Sequence, residues 1–99
     1  MIAYLFPGQG SQKPGMGHDF WEGSAPAWAV FTEAAEVMGP DFLERIFHGT
    51  EVELRDTRVT QPALVAVELA IVAHLRLAGF RPDCVAGHSV GELSALAAA

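Results

Sequence analysis

A serine flanked by glycines, Gly87-His88-Ser89-Val90-Gly91, lies between a short apolar run and a helix-forming one. The pattern G-x-S-x-G alone is weak, since two glycines and a serine at fixed spacing arise by chance in roughly a few per cent of chains this long. Its setting gives it force. Asp83-Cys84-Val85-Ala86 reads as a strand, and Leu93-Ser94-Ala95-Leu96-Ala97-Ala98-Ala99 as a helix. A strand that turns straight into a helix needs tiny residues where the two approach, and it holds the serine at the tip in a strained backbone conformation. The Ser89 hydroxyl then projects at the carboxyl end of a sheet. The Val90 N–H falls at a helix N-terminus, where it can meet a developing oxyanion. The plain alternative is a Gly-rich turn with a serine helix cap.

The rest of the chain fits that frame. Ile2-Ala3-Tyr4-Leu5-Phe6 is apolar throughout, as expected of a strand buried on both faces, and Pro7 ends it. Ala27, Val30, Phe31, Ala34, Ala35 and Met38 recur at helical spacing, and Gly39-Pro40 stops that helix. Asp41 and Glu44 resemble a capping box opening a short helix closed by Gly49. Glu51 to Thr60 reads as a polar, solvated loop. Thr60 is then the expected cap of a long helix with Pro62 in its first turn, ended by Gly79. That helix is apolar nearly all round, so it should be buried. Cys84 should be a buried small residue, and Trp21, Trp28 and Phe31 packing residues. Strand, helices, strand, turn and helix make the opening of an α/β fold with parallel strands.

The glycine-rich loop after the first strand excludes two nucleotide motifs. Gly8-Gln9-Gly10 lacks the third glycine of a dinucleotide fingerprint, and Met16 stands where a P-loop needs lysine. What remains is a loop able to bring backbone N–H groups near a ligand.

Composition excludes more. Six basic against twelve acidic residues give a net charge of −6, which argues against a nucleic-acid partner. A single cysteine makes neither a disulfide framework nor a zinc cluster, so no metal is expected. The N-terminus has no basic leader, and the apolar stretch from Ala63 to Leu77 is interrupted by Glu68, His74 and Arg76 and reads as too short to span a bilayer. A cytoplasmic protein with no membrane partner is therefore expected.

Three segments carry a resemblance. Phe6-Pro7-Gly8-Gln9-Gly10-Ser11-Gln12, Thr60-Gln61-Pro62-Ala63 and Gly87-His88-Ser89-Val90-Gly91-Glu92 are similar, in order and spacing, to motifs of the malonyl-CoA:acyl-carrier-protein transacylases and the acyltransferase domains of polyketide and fatty-acid synthases. The resemblance implies the N-terminal part of an α/β-hydrolase-like acyltransferase fold with a nucleophile elbow. It also implies ping-pong acyl transfer. Ser89 would attack an acyl-CoA thioester, typically malonyl-CoA, and an acyl carrier protein would collect the acyl group. Gln9 and Val90 would supply the oxyanion-hole N–H groups, Gln61 would line the acyl pocket with His88 beside it, and Gly87 and Gly91 would be the elbow glycines. His88 is expected to pack or hydrogen-bond the turn rather than act as base, because adjacent residues on a tight turn point apart. A small aliphatic residue at Val90 leans toward malonyl over methylmalonyl. CoA thioesters enter as substrates, and no tightly bound cofactor is implied.

The resemblance also sets an expectation about extent. The family's base, a histidine, and its carboxylate-binding arginine lie downstream of the nucleophile. His18, His48 and His74 stand in no motif: the first is expected in a loop, the second at a helix end, the third on the buried helix. The run after Leu93 carries no stop signal. Residues 1–99 are thus expected to be the N-terminal segment of one acyltransferase domain, truncated in the helix after the nucleophile, inert alone and in need of the remainder of the domain. A parallel sheet without further strands would also leave apolar edges uncovered. Two rival readings stand beside this one: a serine esterase or patatin-like lipase with water as acceptor, and a non-catalytic segment that docks a partner.

Overall fold

The computed structural model describes residues 1–99. Two parallel strands, β1 (Ala3–Phe6) and β2 (Cys84–Gly87), pair in register Ala3↔Cys84 to Phe6↔Gly87. Between them run α1 (His18–Gly23), α2 (Ala25–Met38), α3 (Phe42–His48), α4 (Glu51–Arg55) and α5 (Thr57–Leu77), and α6 (Gly91–Ala98) follows β2. This is the expected α/β order, with a long helical crossover joining the parallel strands.

The crossover packs around one apolar cluster. Ala27 and Phe31 of α2, Phe42, Ile46 and Phe47 of α3, and Ala63, Ala66, Val67 and Ala70 of α5 are all buried there. Phe31 and Phe47 meet edge to face with centroids 5.3 Å apart, a geometry that adds to their area burial. The helix ends explain why α2 sits where it does. The Ser24 hydroxyl accepts from Ala27 N–H at 3.3 Å, Pro26 occupies the first turn, and Gly39 N–H closes the helix on the Ala35 carbonyl. Trp21 and Phe31 pack as expected, but Trp28 is half exposed.

The main correction to the sequence reading lies between Thr50 and Thr60. The stretch expected to be a loop is helical. Thr50 and Glu53 form a reciprocal capping box, Glu53 N–H to Thr50 Oγ1 at 3.2 Å and Thr50 N–H to Glu53 Oε1 at 3.3 Å, while Asp41 makes no side-chain cap at all. Asp56, not Thr60, caps α5, accepting from Arg58 N–H at 3.0 Å. The Arg58 guanidinium grips the same carboxylate and holds the Asp56 carboxyl below its ordinary range. Thr60 is a buried residue within the helix whose hydroxyl reaches the carbonyls of Leu54 and Asp56. Pro62 therefore lies inside α5, beyond its first turn. At 21 residues, α5 is long and apolar enough by length and composition to cross a bilayer, unlike the shorter stretch read from the sequence. Its buried residues run from Thr60 to Val72 and include Glu68.

The sheet departs from expectation too. Neither strand is buried on both faces: in β1 only Phe6 is buried, and Leu5 is 76% exposed. In β2 exposed and half-buried residues alternate, leaving Cys84 exposed rather than buried. α5 and α6 cover one face of this pair of strands, the face of Tyr4, Phe6 and Val85, and the face of Leu5 has no such cover.

Candidate active site

Both parallel strands point their carboxyl ends at the same place. Because Phe6 pairs with Gly87, the loop leaving β1 and the turn leaving β2 emerge side by side. The turn is three residues long, His88-Ser89-Val90, before α6 begins at Gly91. Ser89 has φ +57°, the one non-glycine residue of the chain with positive φ. Such a backbone costs of order 1–3 kcal/mol, and the surroundings must impose it.

The surroundings are backbone. A Cβ on Gly87 would overlap the Gly91 carbonyl, and one on Gly91 would overlap the Phe6 carbonyl. Gly8 is buried against the turn: its Cβ would overlap the His88 carbonyl and stand 2.8 Å from Ser89 Cβ. His88 N–H donates to the Phe6 carbonyl, and its own carbonyl accepts from Gly91 N–H, both at 3.0 Å. Strand, loop and helix thus lock the turn with no room for side chains.

The loop after β1 is fixed in turn. Ser11 N–H and Oγ both donate to the Gly8 carbonyl, Gly10 N–H donates to Gln12 Oε1, and Gln9 Nε2 donates to Thr57 Oγ1 at the start of α5. Four backbone donors where the loop meets the turn find no acceptor within the chain, those of Gly8, Gln9, Ser89 and Val90. Ser89 is exposed and Val90 is 7% exposed.

Gln61 lies on the other wall. It is exposed on α5 and lines an open, mostly apolar groove of about 700 Å³ shared with Pro62, Val65, Leu69, Val90 and Leu93. The structure therefore gathers Ser89, Val90, Gly8-Gln9 and Gln61 at one end of the sheet. His88 is placed differently. Its ring is exposed and makes no hydrogen bond, so the expected bonding to the turn comes from its backbone instead. No side chain hydrogen-bonds the Ser89 hydroxyl. His18 opens α1, rather than lying in a loop, and pairs with Glu22 at 3.1 Å; His48 stacks near it, and His74 Nδ1 bonds Ser24 Oγ at 2.8 Å.

A buried polar pair under the turn escaped the sequence reading. Ser94 of α6 donates to Glu68 Oε1 of α5 at 2.6 Å. Burial pushes the Glu68 carboxyl above its ordinary value, and the Ser94 hydrogen bond opposes that in part. In the sequence Glu68 shows only as an interruption of an apolar stretch.

Known proteins share this arrangement. The acyl transferase domain family model matches residues 3–99. The chain belongs to the acyl transferase domain family. It is 45% identical over 98 residues to the malonyl CoA-acyl carrier protein transacylase of Bacillus subtilis strain 168, which covers 99% of this chain and 31% of that protein. The crystal structure of the Synechocystis sp. PCC 6803 malonyl-CoA:ACP transacylase superposes with a TM-score of 0.92 at 46% identity, over 100% of this chain and 33% of that one. A malonyl-transacylase solved in complex with its type II polyketide synthase acyl-carrier protein gives 0.90 at 42% identity, over 99% and 32%. The chain therefore spans about a third of the length of its relatives, and the fold class expected from its sequence is the one it shares with them.

Proposed function

We propose that residues 1–99 are the nucleophile-bearing N-terminal segment of a malonyl-CoA:acyl-carrier-protein transacylase domain. The observation that carries the reading is the juxtaposition of an exposed, positive-φ Ser89 with unengaged backbone N–H groups of the adjoining loop and turn, of which the family resemblance singles out Gln9 and Val90. The relatives' names supply the substrates. Ser89 Oγ adds to the malonyl thioester carbon as its proton passes to a general base. The tetrahedral oxyanion is held by the Gln9 and Val90 N–H groups, each such donor contributing about 10²–10³ in rate. The C–S bond then breaks, CoA leaves as its thiol with that proton, and malonyl-Ser89 remains. The pantetheine thiol of an acyl carrier protein repeats the sequence in reverse and restores the serine.

Gln61, on the groove wall that holds Val90, faces the acyl group in this reading, with His88 at its rim. Val90 leaves a small aliphatic surface suited to malonyl over methylmalonyl. The base and the malonyl-carboxylate partner come from the rest of the domain, which would also cover Leu5 and Leu93. Serine chemistry of this kind needs no tightly bound cofactor.

The test uses the complete protein that carries this chain, with radiolabelled malonyl-CoA and holo acyl carrier protein. The expected products are malonyl-carrier protein and a malonyl-Ser89 peptide found by mass spectrometry. Ser89→Ala should lower transfer by about 10³-fold or more. Release of free malonate at a rate indifferent to carrier protein would replace this reading with a hydrolase. The isolated 99-residue chain should form no measurable acyl-serine until the rest of the domain is added.

A further inference from the structure

Glu68 and Ser94 are the one side-chain hydrogen bond joining α5 to α6. Ser94 is fully buried, and Glu68 is 7% exposed with Oε2 buried and unpartnered. Around them the contact is made of small or featureless apolar groups, among them Val72, Ala95 and Ala98. Apolar surfaces of that kind tolerate sliding. A buried hydrogen bond does not, because displacement strands both partners away from water.

The placement of the pair ties it to the site. Glu68 follows Gln61 by about two helical turns on α5, and Ser94 lies about one turn along α6 from Val90, the cap of that helix, so each is tied through its own helix to a site residue. Any slip of α6 along α5 changes the separation between Ser89-Val90 and Gln61. Misplacement by about 1 Å at a reacting centre costs about 10²-fold in rate.

We propose that Glu68 is a positioning residue: the hydrogen bond it receives from Ser94 fixes the register of α6 on α5, and with it the spacing between the Ser89 turn and Gln61. This rests on the reading of Ser89, Val90 and Gln61 given above. Glu68 itself touches neither substrate nor the reacting atoms.

The experiment compares Glu68→Ala, Ser94→Ala, the double variant and Glu68→Gln in the complete protein. Expected is a kcat for malonyl transfer lowered by about 10- to 100-fold in Glu68→Ala and Ser94→Ala, with KM for malonyl-CoA nearly unchanged. The double variant should be no worse than either single one, and Glu68→Gln, which can still bond Ser94, should recover most of the activity. Falling Tm with unchanged kcat, or losses that multiply in the double variant, would overturn the proposal. Where Glu68→Ala does not fold, Ser94→Ala and Glu68→Gln carry the comparison. Phosphonylation of Ser89 by a fluorophosphonate probe separates the two readings. Wild type that is phosphonylated but transfers no malonyl removes the proposed function, while the rate ratio of Ser94→Ala to wild type still decides the role of Glu68.

Discussion

Around Phe31, nine buried side chains from α2, α3 and α5 close into one cluster with seven partly buried neighbours; around Phe6 at the sheet there are four, with two. The helical crossover is held by apolar volume. The sheet and the turn beyond it are held by backbone fitted to backbone, at Gly8, Gly87 and Gly91, with Leu5, Leu93 and Leu96 left 76%, 61% and 75% exposed. The two regions therefore answer to different physics. One resists through burial, in proportion to the area removed from water. The other resists through sterics, so a single methyl can matter more than a lost side chain.

The sharpest test of that contrast pairs a truncation with an addition. Phe31→Ala removes a fully buried ring from the helical cluster, and a loss of about 3–5 kcal/mol is expected. Thermal or urea unfolding of the complete protein should show it, while kcat of the folded fraction stays close to wild type. Gly8→Ala is expected to do the opposite. Its methyl meets the His88 carbonyl and Ser89 Cβ, which costs about 1–3 kcal/mol as overpacking but displaces the turn itself. Malonyl transfer should fall about tenfold or more for a modest change in Tm. Unimpaired transfer by Gly8→Ala would show that the loop can retreat from Ser89, and the contrast would collapse.

The same division decided what could be read from the sequence. The turn was legible because its constraint is local: Gly87, Ser89 and Gly91 are required by one strand–turn–helix geometry, whatever lies elsewhere. α2 was legible because Ala27, Val30, Phe31 and Ala34 face one cluster, although Met38 of the same repeat is exposed. Legibility failed where one signal occurs twice. Asp41…Glu44 and Thr50…Glu53 both have the capping-box spacing, and only the second forms it. The charges from Glu51 to Arg58 suggested a loop, yet they are the outer faces of α4 and the first turn of α5, where Asp56 and Arg58 serve the cap. Pro62 suggested a helix start because proline suits a first turn, but the helix had already begun at Thr57. Strand burial failed for another reason. Cys84 and Leu5 look like core residues in any window of the sequence, and their exposure depends on which parts of the sheet the helices cover. Glu68 could not be found at all, since its partner Ser94 lies 26 residues away on another helix.

Glu68 also places a small, pH-dependent weakness at the junction of the two regions. Its carboxyl is raised above the ordinary value of 4.5 by burial, and no charged neighbour contributes to the shift. The folded chain then holds that proton more tightly than the unfolded chain does. Stability from this group is greatest in acid and declines as pH rises from about 4.5 toward the raised folded value, after which it stays level. Glu68→Gln keeps a partner for Ser94 and removes the titration. The Tm advantage of Glu68→Gln over wild type should therefore be least near pH 4 and grow toward neutrality, as read from melting curves of the complete protein across that range. A gap independent of pH would mean that the carboxylate is as well accommodated as the acid. The α5–α6 junction would then belong with the well-satisfied crossover rather than with the sterically held turn.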